Sequence, residues 1–283
     1  MKPILEVKGL SKSLGSFRLQ DVSFFLTEGC ITGFIGVNGA GKTTTIKLIL
    51  GLIAKDAGDI AFRGKDILSN EREFKNRIGI VLDEGYFYDE LTLLEMKSVI
   101  APAYSDWDDA VFRRHIERFG LPLSQPIGTL SKGMRMKYAI ALAMSHHADL
   151  LIMDEPTSGL DPQVRLELMD ILLEYVNEDG KSVFLSSHIT SDLDKVADGI
   201  ILIDRGQIVF SEEKDALLDM HGYVKGDTKE LNERTRGLFV TLNETGYGFS
   251  GLTNDKAAVR QHMKNALIER PTIEDVMLGY IRR

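Results

Sequence analysis

The stretch GVNGAGKTT, from Gly36 to Thr44, determines how the rest of this sequence is interpreted. It matches the phosphate-binding pattern of a glycine, four residues, a second glycine, a lysine and a serine or threonine. An apolar run, Ile31–Ile35, enters the stretch, and Ile46, Ile49 and Leu50 mark one face of a helix that leaves it. A glycine-rich turn with a chance lysine is the alternative. The order of strand, loop and helix favours a nucleotide site.

The residue types in this loop suit phosphate binding. Glycines let successive backbone amides turn toward phosphate oxygens, and the start of the helix adds partial positive charge. Lys42 is expected to reach the β- and γ-phosphates, and Thr43 is expected to ligate magnesium. The predicted nucleotide-binding residues of the loop are Gly36, Val37, Asn38, Gly39, Ala40, Gly41, Lys42, Thr43 and Thr44.

A second motif, LLIMDEP from Leu150 to Pro156, places two carboxylates directly after an apolar strand. Open α/β sheets bind their ligands at the carboxyl ends of their strands. Asp154 is therefore expected to hold magnesium, usually through water, and Glu155 to orient and polarise an attacking water. A strand ending in a solvated acidic turn is the alternative, and the phosphate-binding loop elsewhere in the chain favours the catalytic interpretation.

Four short aliphatic runs, each followed by a polar break, predict buried parallel strands. They are Ile31–Ile35, Ile78–Leu82, Leu150–Met153 and Val183–Leu185. Segments with helical spacing separate them, so we expect an α/β protein with a mainly parallel core sheet. Residues 86–128 combine helical patches with prolines and predict an inserted helical subdomain, for which a merely solvated insertion is the alternative.

Composition limits the classes of function. The chain has 283 residues, 43% of them hydrophobic, which is enough for one large α/β domain and a small appendage. Its formal net charge is -8, whereas a general nucleic-acid binder is usually basic. The single cysteine, Cys30, excludes an intramolecular disulfide. The start of the sequence does not look like a secretory signal, and no apolar run approaches the roughly 18 residues of a membrane span.

Three further motifs carry a family resemblance. LSKGMRMK, residues 130–137, is similar to the signature motif of the ATP-binding cassette (ABC) family, with Ser131 and Gly133 in place. SGLD, Ser158–Asp161, resembles the family's D-loop, and His188 falls where the family has its switch histidine. The resemblance implies that His188 contacts the γ-phosphate. It also implies a head-to-tail dimer in which Ser131, Gly133 and Asp161 of one subunit approach the ATP held by the other.

The resemblance covers roughly residues 1–212 and implies the fold of a P-loop ABC ATPase. That fold has an N-terminal antiparallel β region, and its inserted helical subdomain corresponds to about residues 86–145. Residues 213–283 are expected to form a small C-terminal extension, with one strand candidate at Leu238–Leu242 and a final helix after Pro271.

The sequence departs from the family pattern at several positions. Asp83 stands where the family has the glutamine of its Q-loop; it is a candidate magnesium ligand, and an ordinary loop residue is the alternative. Leu14 occupies the expected place of the adenine-stacking aromatic residue. Phe17 is a candidate substitute, and a role in core packing is equally open. In the signature, Lys132 replaces a glycine and Met134 replaces the usual glutamine.

The LSKGM form of the signature and the closing PTIEDVM segment look like those of bacterial drug, bacitracin and antimicrobial-peptide exporters. The predicted function is therefore an ATP-hydrolysing subunit, with ATP and Mg²⁺ as cofactors, that drives export through separate transmembrane permease subunits. A second ABC ATPase subunit, identical or different, is the other expected partner. The predicted location is peripheral, on the cytoplasmic face of the membrane. The alternatives are a soluble ABC ATPase acting on DNA or ribosomes and a nucleotide-sensing regulatory subunit.

Overall fold

The computed structural model describes residues 2–82, 86–178 and 180–281. The strands in these ranges are β1 (Pro3–Leu14), β2 (Phe17–Thr27), β3 (Ile31–Ile35), β4 (Ala57–Phe62), β5 (Lys65–Asp66), β6 (Ile78–Leu82), β7 (Leu150–Asp154), β8 (Ser182–Ser187), β9 (Gly199–Asp204), β10 (Gln207–Glu213), β11 (Gly222–Gly226), β12 (Thr241–Thr245), β13 (Gly248–Thr253) and β14 (Leu267–Glu269). The α-helices are α1 (Lys42–Ile49), α2 (Glu71–Arg77), α3 (Leu93–Ile100), α4 (Asp109–Arg118), α5 (Lys132–Met144), α6 (Pro162–Val176), α7 (Thr190–Val196), α8 (Lys214–Met220), α9 (Glu233–Arg236), α10 (Lys256–His262) and α11 (Ile273–Ile281).

The central sheet has the strand order β10-β9-β3-β8-β7-β6. Its neighbours pair in parallel except β9 and β10, which form an antiparallel hairpin. The four predicted strands are β3, β6, β7 and β8, which together with β9 form the parallel part of the sheet. The predicted mainly parallel core sheet is therefore confirmed. Because parallel strands end at one edge, the ends of β3, β7 and β8 meet there and can build one site.

Alternating side chains of the central sheet pack into two layers. In β8, Val183 and Leu185 join the cluster formed with α5, α6 and α7, whereas Phe184 joins the cluster on the opposite face. There Phe24, Phe34 and Phe184 pack with ring centroids 5.2 to 5.8 Å apart. This aromatic group attaches the second sheet, β2-β1-β4-β5, which is antiparallel as predicted.

Helices α3, α4 and α5 form the predicted helical insertion, which has its own apolar cluster. Helix α5 contributes to two apolar clusters. Tyr138 and Leu142 join the cluster of the insertion, and Ile140 and Ala143 join the central core. The Tyr138 hydroxyl donates to the Leu93 carbonyl at 2.7 Å. Helix α5, which begins within the predicted signature motif, is thus anchored both to the insertion and to the central sheet.

The C-terminal extension contains more structure than the sequence predicted. Its antiparallel sheet has the order β12-β13-β11-β14, and the predicted strand at Leu238–Leu242 is wrong at its boundary because the strand begins at Thr241. One face of this sheet packs on α10 through Val224 and Val259. The final helix, predicted correctly after Pro271, is α11. Within the described ranges, no helix has the length and apolar character needed to cross a bilayer.

Candidate nucleotide site

The glycines of the loop between β3 and α1 are needed for two different reasons. Gly39 and Gly41 have φ angles of 82° and 118°, in the left-handed region that glycine adopts without strain. Gly36 has no room for a side chain, because a Cβ there would collide with the carbonyl oxygen of Ile203. The amide of Gly206, in the β9–β10 hairpin, donates to the Ala40 carbonyl at 2.8 Å and fixes the loop from below. The loop is therefore preshaped by the sheet.

Helix α1 begins at Lys42, and its N-cap Gly41 offers no side-chain cap. Its first backbone amides lack intrahelical acceptors and are suited to bind an anion. Lys42 is only 5% exposed, and its ammonium donates to the Gly36 carbonyl at 2.8 Å. The same ammonium lies 3.1 Å from Oε1 of Glu155. The predicted phosphate-binding lysine and the predicted catalytic carboxylate are thus in direct contact.

Asp154 is the last residue of β7 and is buried. Its Oδ1 accepts a hydrogen bond from the Ser186 hydroxyl of the neighbouring strand β8 at 2.5 Å. Sequence reasoning missed Ser186, which also accepts from the Glu155 amide at 3.0 Å through its hydroxyl oxygen. One serine therefore orients both residues of the acidic pair.

Glu155 has a left-handed backbone with φ of 50°, which is uncommon for a residue with a side chain. Its Oε2 lies 2.6 Å from Nδ1 of His188 and accepts from the His188 amide at 3.3 Å. A single carboxylate thus joins Lys42 on one side to His188 on the other. Backbone strain of this kind is maintained where a side chain must point in a fixed direction.

A cavity of about 430 Å³ opens in front of the loop. Its walls are Leu14, Phe17, Asn38, Gly39, Gly41, Lys42, Thr43, Thr44 and Glu155. Phe17 lies close to Gly41, since a Cβ on that glycine would be 3.1 Å from Cζ of the ring. Phe17 also packs against the buried cluster of the antiparallel sheet, so it serves both the cavity wall and the core. Leu14, which is 42% exposed, supplies a second apolar wall.

The donor groups at this edge fit a magnesium ion that is completed by phosphate and water oxygens. Thr43 is exposed and lines the cavity, and the Asp154 carboxylate is held by Ser186. Magnesium in nucleotide sites usually takes only one or two protein oxygens. Consistently, no group of three or more His, Cys, Asp and Glu among the described residues could hold a metal by itself.

Ser131 is the N-cap of α5, and its hydroxyl accepts from the Met134 amide at 3.2 Å. Gly133 approaches α6 closely, because a Cβ there would lie 3.2 Å from a methyl group of Val164. Asp161 caps α6 and accepts from the amides of Gln163 and Val164. Ser131 and Asp161 are exposed, and neither they nor Gly133 line the cavity in front of the loop. The signature and the D-loop thus share a second surface of the same chain.

Comparisons with known proteins agree with this arrangement. A family model described as ABC transporter matches residues 19–158. The bacitracin transport ATP-binding protein of Bacillus licheniformis is 34% identical over 212 residues, which is 74% of this chain and 69% of that protein. The lantibiotic transport ATP-binding protein of Streptococcus pyogenes is 32% identical over 215 residues, which is 75% of this chain and 92% of that protein. This chain is an ABC transporter ATPase.

A solved ATP-binding subunit of an ABC transporter superimposes on this ABC ATPase with a TM-score of 0.69 and 30% identity. The superposition covers 76% of this chain and 92% of the solved one. The predicted family, fold and enzyme class are thereby confirmed. Asp83, the candidate magnesium ligand at the Q-loop position, lies outside the described residues.

Proposed function

We propose that this ABC ATPase hydrolyses ATP with Mg²⁺ to drive export of a drug, peptide or similar substrate through separate transmembrane permease subunits. The observation that carries the proposal is the contact of Glu155 with both Lys42 and His188 at the carboxyl edge of the parallel sheet. A carboxylate between a phosphate-binding cation and a histidine is suited to hold a water in line with the γ-phosphate.

In this proposal the backbone amides at the start of α1 and the Lys42 ammonium bind the phosphates. Thr43 and Asp154 hold the magnesium ion, which when bound neutralises charge on the triphosphate. Glu155 polarises the attacking water, and His188 contacts the γ-phosphate and orients Glu155. Phe17 and Leu14 form an apolar wall for the base. The role of Asp83 remains a prediction.

The signature surface lies outside the cavity of its own chain, which supports a site completed by a second subunit. Ser131 stands at the exposed start of α5, where the positive end of the helix dipole favours an anion. Asp161 lies on the adjoining turn. We place the γ-phosphate of an opposing ATP at Ser131 and Gly133, with either an identical or a related ATPase as the partner.

The export assignment rests on two relatives that are named for transport of bacitracin and of a lantibiotic. Residues 1–212 would form the ATPase domain and 213–283 the extension. The inserted helices of about residues 86–145 would contact the permease at the cytoplasmic face. Tyr86, Tyr88 and Val99 are more than half exposed on this part of the chain and offer apolar surface for such a contact.

The test is affinity purification of the tagged chain from detergent-solubilised membranes, followed by ATPase measurement on the complex. Recovery of a polytopic membrane protein together with steady hydrolysis supports the proposal. Recovery of ribosomes or DNA instead supports a soluble ABC ATPase that acts on them. The net charge of -8 disfavours such binding to nucleic acid. A membrane complex that binds ATP without turnover supports the nucleotide-sensing subunit.

A further inference from the structure

His188 lies between the end of β8 at Ser187 and helix α7, which begins two residues later. Helix α7 also packs against the C-terminal extension. We infer that the C-terminal extension positions His188 by holding α7, and thereby contributes to ATP turnover. The inference rests on the proposed catalytic role of His188 and gives a function to the extension.

Two hydrogen bonds join the extension to a single residue of α7. The backbone amide of Ile273, at the start of α11, donates to Oδ1 of Asp194 at 3.2 Å. The ammonium of Lys214, at the start of α8, donates to the carbonyl oxygen of Asp194 at 3.1 Å. These donors are about 60 residues apart in sequence, so both ends of the extension converge on Asp194.

Apolar packing reinforces these bonds. Leu193 and Val196 of α7 belong to the same buried cluster as Ile273, Val276 and Met277 of α11. All five side chains are less than 10% exposed. Close-packed side chains transmit displacement because there is no free volume to absorb it. A shift of α11 must therefore move α7.

The opposite side of α7 is tied to the ATPase core. Arg165 of α6 makes a two-pronged contact with Asp192, from Nη2 to Oδ1 at 2.6 Å and from Nε to Oδ2 at 3.2 Å. Arg165 lies one turn after Asp161, the residue that caps α6 on the D-loop side. Helix α7 is consequently held between α6 and the extension, and His188 lies two residues before its first turn.

The extension itself is anchored firmly enough to act as a support. Tyr280 of α11 packs edge-on against Phe210 of β10 at 5.5 Å, and its hydroxyl lies 2.8 Å from Nε2 of the buried His221. Gly279 lets α11 approach Leu252 of the extension's sheet, since a Cβ there would collide with that side chain. Helix α11 is thus fixed to both the central sheet and its own sheet.

The test compares Asp194→Ala with Asp194→Asn in the full chain. Loss of the acceptor for the Ile273 amide should lower kcat about fivefold, the effect of one net hydrogen bond, and leave the KM for ATP within about twofold. Asparagine keeps an oxygen acceptor without the charge and should restore most of the rate. Lys195→Ala, an exposed position on the same helix, is the matched control and should leave kcat unchanged.

A second set of variants separates positioning of His188 from general damage to the fold. Lys214→Met removes the other bond to Asp194 and should also lower kcat. In a His188→Ala background, neither Asp194→Ala nor Lys214→Met should lower the single-turnover rate further, because the group they position is gone. Additive losses in that background would overturn this inference but not the proposed function. The same holds if wild type is active and both single variants have an unchanged kcat. A wild-type chain without hydrolysis would overturn the proposed function as well.

Discussion

At the scale of single residues, Glu155 contacts both Lys42, the proposed phosphate-binding residue, and His188, the proposed γ-phosphate contact. Its contact with Lys42 satisfies an ammonium that is 5% exposed. Arrival of the triphosphate offers Lys42 a more highly charged partner. We expect this exchange to release Glu155 toward the attacking water while His188 retains its other oxygen. Nucleotide binding would then activate the carboxylate as a consequence of charge competition.

Replacing Lys42 tests its proposed contact with phosphate. Lys42→Ala removes a charge-assisted hydrogen bond, which contributes about 1.5 to 3 kcal/mol, so ATP affinity should fall roughly 10- to 100-fold. Calorimetric titration measures it. Lys47→Ala, on the same helix but outside the residues that line the cavity, should bind ATP normally. Equal affinity in wild type and Lys42→Ala would remove Lys42 from its assigned place.

Most residues that meet at this site belong to motifs found in the sequence, and the reason for the exceptions is physical. The loop motif and the acidic pair are local patterns, since each set of ligands comes from a few consecutive residues. Ser186 acts on Asp154 and Glu155 only because β8 lies beside β7, which one sequence does not reveal. Leu14, which the sequence placed at the expected base-stacking position, does line the cavity. The contacts missed were those of Ser186, which join distant segments.

At the scale of elements, the contact between α6 and α7 joins the D-loop to the histidine segment. The Arg165 and Asp192 side chains are 24% and 8% exposed, so the pair is largely withdrawn from water. Such a pair adds little beyond an apolar replacement, but removing one partner leaves an uncompensated buried charge. Its geometric effect is to fix the angle between the two helices.

Arg165→Met should accordingly lower the free energy of unfolding by about 3 kcal/mol, because the Asp192 carboxylate loses its partner. Urea denaturation measures the loss. The double variant Arg165→Met with Asp192→Leu should recover a large part of it, since neither charge remains. A double variant whose loss equals the sum of the two single losses would show that the pair does not act as a unit.

Elements of the core were easier to predict than those of the extension. Strands β3, β7 and β8 are buried on both faces, β6 is largely buried, and all four contain short apolar runs. The strands of the extension are short and mixed in polarity, as in TLNET of β12 and LIE of β14. Their pairing depends on tertiary packing against α10 and α11, so periodicity alone found only one of them.

At the scale of the whole molecule, the proposed composite site rests on two separate surfaces of the chain. One is the cavity with the phosphate-binding loop, and the other carries Ser131, Gly133 and Asp161. In a head-to-tail dimer, the cavity of each subunit would face the Ser131 surface of the other, which gives two composite sites. This arrangement predicts that defects on the two surfaces complement each other when they reside in different subunits.

Complementation is tested by mixing Lys42→Ala with Ser131→Arg, which places a long cation where the opposing ATP approaches. Each variant alone should be nearly inactive. The mixed dimer contains one intact site, formed by the loop of the Ser131→Arg subunit and the signature of the Lys42→Ala subunit, so mixing should restore measurable hydrolysis below the wild-type rate. Crosslinking verifies that mixed dimers form. Mixed dimers that bind ATP and show no recovery would exclude a shared site between two copies of this chain.

The central claim is that Glu155 drives hydrolysis of bound ATP, and the direct measurement is single-turnover hydrolysis by wild type and Glu155→Gln at saturating ATP and magnesium. Glutamine preserves the shape of the side chain but removes the polarising charge. The account predicts ATP and magnesium binding close to wild type and a hydrolysis rate at least about 100-fold lower. A Glu155→Gln rate within a few-fold of wild type would contradict it.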